Sequence, residues 1–218
     1  MQFCQNIVSK RSRNAIVANN IPKWNAGGNA WNRFDQAVWK NSLPIIPAGL
    51  FSVGQALGDT WKQIRAFHQK MASSGLRIRI LCSCKKRLLL FVYQEQRLEA
   101  SLSPSIRTLL RKKFGYRQTQ SLDTMLSELA EHIQQSATFP HEIGLFLGYP
   151  VADVLGFIAH HGEDYLLLGY WKVYRNAEQA KQLFSQYDGC RSYLCRQMKQ
   201  GRSLYQALQV AEKSSNAF

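Results

Sequence analysis

A histidine beside a glutamate, His141-Glu142, follows Pro140 and precedes an apolar run. An imidazole and a carboxylate together can move a proton or hold a metal ion. If the run is a strand, adjacent side chains point to opposite faces and the two are separated. Shortly afterwards Gly148-Tyr149-Pro150 leads into an apolar segment carrying Asp153. Peptide N–H groups at a helix start can hold an anion, although Pro150 removes one of them. Lys172 stands in the aromatic segment Tyr170–Tyr174. A buried ammonium is costly, so it meets an acid such as Glu142 or Asp153, snorkels outward, or lines a pocket. His141, Glu142, Gly148, Tyr149, Asp153 and Lys172 therefore form a candidate small-ligand site. The glycines also fit close packing of a helix on a strand. No Walker or dinucleotide fingerprint is present, and the sequence names no cofactor.

Thiols offer a second chemistry. Of the five cysteines, Cys82 and Cys84 are two apart in an alternating stretch. On a strand both would share the apolar face of Ile78 and Ile80. Two thiolates on one face can grip a soft metal or form a redox pair, and Cys190 is a third candidate thiol. Burial as small hydrophobes accounts for them equally. Cys190 and Cys195, five apart on a helix, diverge by about 140°. A four-cysteine zinc site wants closer pairs, so no metal site is expected.

Cations offer a third. Lys85, Lys86 and Arg87 form a hairpin tip, and Arg111, Lys112 and Lys113 end a helix; Arg77, Arg79 and Arg117 lie nearby in sequence. Gathered on one side, they would suit single-stranded nucleic acid; a solvated basic face is the plainer account. The net charge of +14 favours acidic partners, an anionic small molecule or nucleic acid among them. With no apolar run of about 18 residues, no membrane span is expected. The odd cysteine count suits reduced thiols and a cytoplasmic location.

These groups need elements to position them. Residues 1–30 read as a loose, basic, Asn-rich arm, and 31–218 as a single domain. Leu43–Leu57, broken by Pro44, Pro47, Gly49 and Gly54, reads as a buried loop leading into a helix over 59–73. A hairpin follows: an alternating strand from Arg77 to Cys84, a basic tip, and an apolar return from Leu88 to Tyr93. Pro104 opens a short helix, and Ser121 or Asp123 caps the next, whose stripe is Met125, Leu126, Leu129, Ala130 and Ile133. Further on, Ile143–Gly148 reads as a strand, Pro150 starts a helix closed by Gly162, and Tyr165–Tyr174 reads as a long strand. That order predicts a right-handed parallel crossover. Asn176 with Gln179 starts a long helix ended by Gly201, and Ser203 with Gln206 a last short one. The fold expected is α+β, with a mixed central sheet of about four to five strands and helices on its faces.

The stretch Phe139–Ile158, with Gly169–Tyr174, Cys190 and Gly201-Arg202-Ser203-Leu204, resembles the bacterial domain-of-unknown-function family numbered 3793. Pro44 with Gly49-Leu50-Phe51, the hairpin from Leu81 to Tyr93, and Gly115-Tyr116 are similar to its earlier segments. The resemblance runs from about Trp31 to Leu208. Relatives carry His-Cys just before the early proline, where this chain has Asn41-Ser42. The resemblance implies a bacterial protein of this fold and brings no activity with it.

Overall fold

The computed structural model describes residues 47–54, 60–71, 75–83, 87–117, 121–136, 138–202 and 206. The arm of residues 1–30 and the short helix expected over 204–211 lie outside these, apart from helical Gln206.

The hairpin of β2 (Leu76–Ser83) and β3 (Arg87–Gln94) is present as the alternation predicts. Leu43–Leu57 is not the loop expected. Its central part, β1 (Ala48–Gly54), pairs antiparallel with β3, which puts β3 in the middle of a three-stranded sheet. Sheet pairing overrides the local preference of Gly49 and Gly54.

Each face of β3 meets a different core. Leu89, Phe91 and Tyr93 point into one cluster, and Leu88, Leu90 and Val92 into the other. Burial on both sides is why the strand reads as one apolar run. The first cluster is closed by α2 (Glu95–Ser101), α3 (Pro104–Phe114), α4 (Leu122–Gln135), α5 (Ile143–Phe146) and α6 (Val151–Ala159). The second is closed by α1 (Thr60–Met71), α7 (Ala177–Lys199) and a small C-terminal ribbon. Ser103 and Ser121 cap α3 and α4, and Gly115 ends α3 in the left-handed region at φ 77°.

The α+β class stands, with a smaller sheet than expected. No parallel crossover forms among the described residues. Ile143–Gly148 is not a strand: its first four residues form α5, every one buried. A short apolar run buried all round carries no period to separate strand from helix. Tyr165–Tyr174 is not one strand either. The chain reverses around Gly169–Trp171, and β4 (Leu167–Leu168) pairs antiparallel with β5 (Lys172–Val173). Gly169 permits this by lying against α7, where a β-carbon would stand 2.1 Å from Phe184.

Candidate functional site

Buried carboxylates gather in two clusters, with Lys172 and Gln197 buried apart from them. The first forms where the turn after α3, the inner face of α4 and the start of α5 meet. Glu142, 6% exposed, turns away from its neighbour His141 and bonds Nδ1 of His132 on α4 at 2.9 Å. When the imidazole is neutral, an Nδ1–H donated to this carboxylate leaves Nε2 as the free acceptor. One turn earlier on α4, Glu128 is also buried; its Oε1 accepts from Nε of Arg117 at 2.5 Å. The ring of Tyr116 packs edge-on against His132 at 4.7 Å. Its hydroxyl is buried without a hydrogen-bond partner. Burial pushes the phenol's pKa far up, and the charges of Glu142 and then Glu128 push it further. One imidazole, two buried carboxylates and an unspent phenol thus share one place. Such a set can bind hydrogen-bond donors and relay a proton.

The second cluster is built on Asp153, in the first turn of α6. Its Oδ2 accepts from the indole of Trp171 at 2.7 Å, and its Oδ1 from the backbone N–H groups of Tyr174 and Arg175 at 2.8 and 3.0 Å. Both oxygens are occupied by the chain itself. Tyr149 stacks on Trp171 at 4.8 Å between ring centroids. Gly148, at φ 79°, faces Pro47, whose Cγ would lie 2.5 Å from an added β-carbon. These three residues tie the ribbon to α6 and to the sheet.

The remaining two predicted residues meet over one ring. His141 packs edge-on against Phe157 at 5.0 Å, and the Lys172 ammonium lies 5.8 Å from the same ring's centroid. Lys172 also donates to the carbonyl of Gly162 at 2.5 Å and lies over Tyr165. Desolvation holds the His141 imidazole below its ordinary pKa, and Glu142 only partly offsets this. The six predicted residues are therefore divided among three settings, and Glu142 alone joins the first cluster.

Sequence reading passed over Tyr116, Glu128 and His132 as site residues. A signal was present on α4. Glu128 and His132 fall within about 60° of Met125, beside the buried stripe, where a charged side chain needs a partner.

Among the cysteines, a β-bulge between Ile80 and Cys82 breaks the alternation. Ile78 and Ile80 pack on the second core, and Cys82 lies in the first. The shared face expected for them does not form, because one extra residue reverses the side-chain order. Cys82 is disulfide-bonded, not the reduced thiol expected from the cysteine count; Cys84 lies outside the described residues. Burial pushes the Cys190 thiol up in pKa, the opposite of what a reactive thiolate requires. No group of three or more His, Cys, Asp or Glu side chains among the described residues is placed to hold a metal ion.

Four of the nine basic groups are held in structural pairs. Arg79 pairs with Asp123 on α4, Arg77 with Glu95, and Arg117 with Glu128 and Glu131. Arg87 bonds the hydroxyl and carbonyl of Ser52 across the sheet. Lys85 and Lys86 lie outside the described residues. Arg111, Lys112 and Lys113 are exposed on the last turn of α3, where cations suit the helix's negative end. No described helix is long and apolar enough to cross a membrane.

No curated protein and no solved structure matches the chain. A family model described as "Protein of unknown function (DUF3793)" matches residues 43–208, which spans β1, both cores and both polar clusters. The chain belongs to that family.

Proposed function

We propose that this protein binds a small, donor-rich or cationic organic molecule at the cluster of Tyr116, Glu128, His132 and Glu142. The observation that carries the reading is the Tyr116 hydroxyl. It is buried, has no partner, and is acted on by two buried carboxylates. A buried polar group left unmet costs about 1–3 kcal/mol, and a ligand that meets it recovers that cost. The carboxylates set the ligand's class. Despite a net charge of +14 for the whole chain, this cluster gathers three glutamates, Glu128, Glu131 and Glu142, against the Arg117 guanidinium and one imidazole. An amine or guanidinium fits it better than the anionic ligand that the overall charge suggests. His132, partly exposed, is the side chain through which a ligand reaches the buried groups.

Native mass spectrometry of freshly purified protein, with thermal shift against putrescine, agmatine and ethanolamine, tests the proposal. A retained or stabilising ligand that is lost in Tyr116→Phe and in His132→Gln, both still folded, supports it. Binding unaffected by both substitutions, or no binding of any probe, overturns it.

A further inference from the structure

Helix α7 carries a feature that the acidic cluster does not use. Its buried register of Ala180, Phe184 and Tyr187 comes round again at Arg191, which is exposed. Tyr193 and Gln197 continue the covered side farther along the helix, so Arg191 faces outward beside it. Beyond it a surface groove of about 460 Å³ is lined by Arg191, Ser192, Arg196, Lys199 and Gln200. Ser192, Arg196, Lys199 and Gln200 recur at i, i+4, i+7 and i+8, so one strip of the helix supplies them. No acid is among these lining residues. Cations in the last turn complement the helix dipole, which accounts for Arg196 and Lys199 singly. It accounts neither for Arg191, two turns from the end, nor for the meeting of three cations in one concavity. Aromatic rings flank two of them: the Arg191 guanidinium lies 6.0 Å from the Tyr170 ring, and that of Arg196 lies 6.0 Å from Tyr193. Asp188 holds Arg191 from outside the groove at 2.7 Å and also accepts from the Tyr170 hydroxyl.

We infer that this groove binds the phosphodiester backbone of single-stranded nucleic acid. Three convergent, exposed cations match successive phosphates. Guanidinium planes and neighbouring tyrosines give unstacked bases a surface to lie on, which a closed duplex cannot use. The strongly basic chain supplies the long-range attraction. Arg191, like Arg77, Arg79 and Arg117, is paired with a carboxylate, so what distinguishes this surface is that its cations line one groove.

Fluorescence anisotropy with a 15-nucleotide oligo(U) RNA across a salt series tests the inference. Each phosphate contact in a single strand contributes about 0.7 to the slope of log affinity against log salt. Arg196→Gln and Lys199→Gln should each reduce the slope by about that amount. Combined with Arg191→Gln they should reduce it by about 2 and weaken binding at least about tenfold. Lys112→Gln/Lys113→Gln should leave binding within about twofold, since α3 is a separate surface. The inference fails if the single and combined α7 variants keep the parent slope. It fails as well if the α3 variant loses as much, or if a 15-base-pair duplex binds as tightly as the single strand.

Discussion

Asp153 and Glu142 are both buried carboxylates near helix starts, eleven residues apart, and the chain fills them to different degrees. Asp153 has both oxygens filled by an indole and two backbone N–H groups. Glu142 holds one imidazole, and beside that imidazole lies a phenol that holds nothing. A saturated buried charge fixes structure. An unsaturated cluster carries a cost that persists only where something else repays it. A buried phenol without a partner occurs on each side, Tyr116 beside His132 and Tyr174, whose backbone N–H bonds Asp153, so the contrast lies in the carboxylates: the ribbon's is filled by the chain, and the α4 cluster is the one we propose for binding.

Substitution at Asp153 gives the largest expected effect. Asp153→Ala strands the Trp171 indole and two backbone donors and should cost about 3–5 kcal/mol, read as a lower urea midpoint at unchanged m-value. A loss under about 1 kcal/mol would erase the contrast. Next is Gly169→Ala, whose new methyl would overlap the buried Phe184 ring; about 1–3 kcal/mol should be lost. By contrast, Tyr116→Phe removes a hydroxyl that bonds nothing. Stability should change by no more than about 1 kcal/mol while ligand binding disappears. If Tyr116→Phe unfolds the protein, the cluster is structural after all.

The smallest effect is a pH dependence at His141. Its folded pKa lies below the ordinary 6.5, so the unfolded chain takes up the proton first as pH falls. Stability from this group is whole above pH 6.5 and declines as pH drops below it, levelling off beneath the folded pKa. His141→Gln should flatten that part of a stability-against-pH curve; an unchanged slope would show that the imidazole titrates freely.

Elements with a strong period or a cap could be read in advance. Helices α1, α3, α4, α6 and α7 and the β2–β3 hairpin all carry an amphipathic stripe, a capping serine, a first-turn proline or a terminating glycine. The misread elements lack such marks. Buried on all sides, α5 has no polar face to betray its period. Gly49 and Gly54 argue locally against β1, which exists because β3 offers it a partner. The ribbon reads as a single strand because its turn residues, Gly169 to Trp171, are held by Phe184 and Asp153 from elsewhere in the chain. Of the candidate site, Glu142 was legible as a chemical group; its partner ten residues earlier was not.

Local sequence determined where most helices start and stop, the central hairpin, the apolar character of β3 and the excess of positive charge. These follow from short-range sterics, capping and side-chain period, which act within a few residues. Tertiary structure alone decided which carboxylate is spent and which is not. It also decided that a bulge sends Cys82 to the opposite core from Ile80, and that Arg191 faces outward on α7. Hydrogen-bond satisfaction and burial depend on groups brought together from distant parts of the chain, and no local pattern records them.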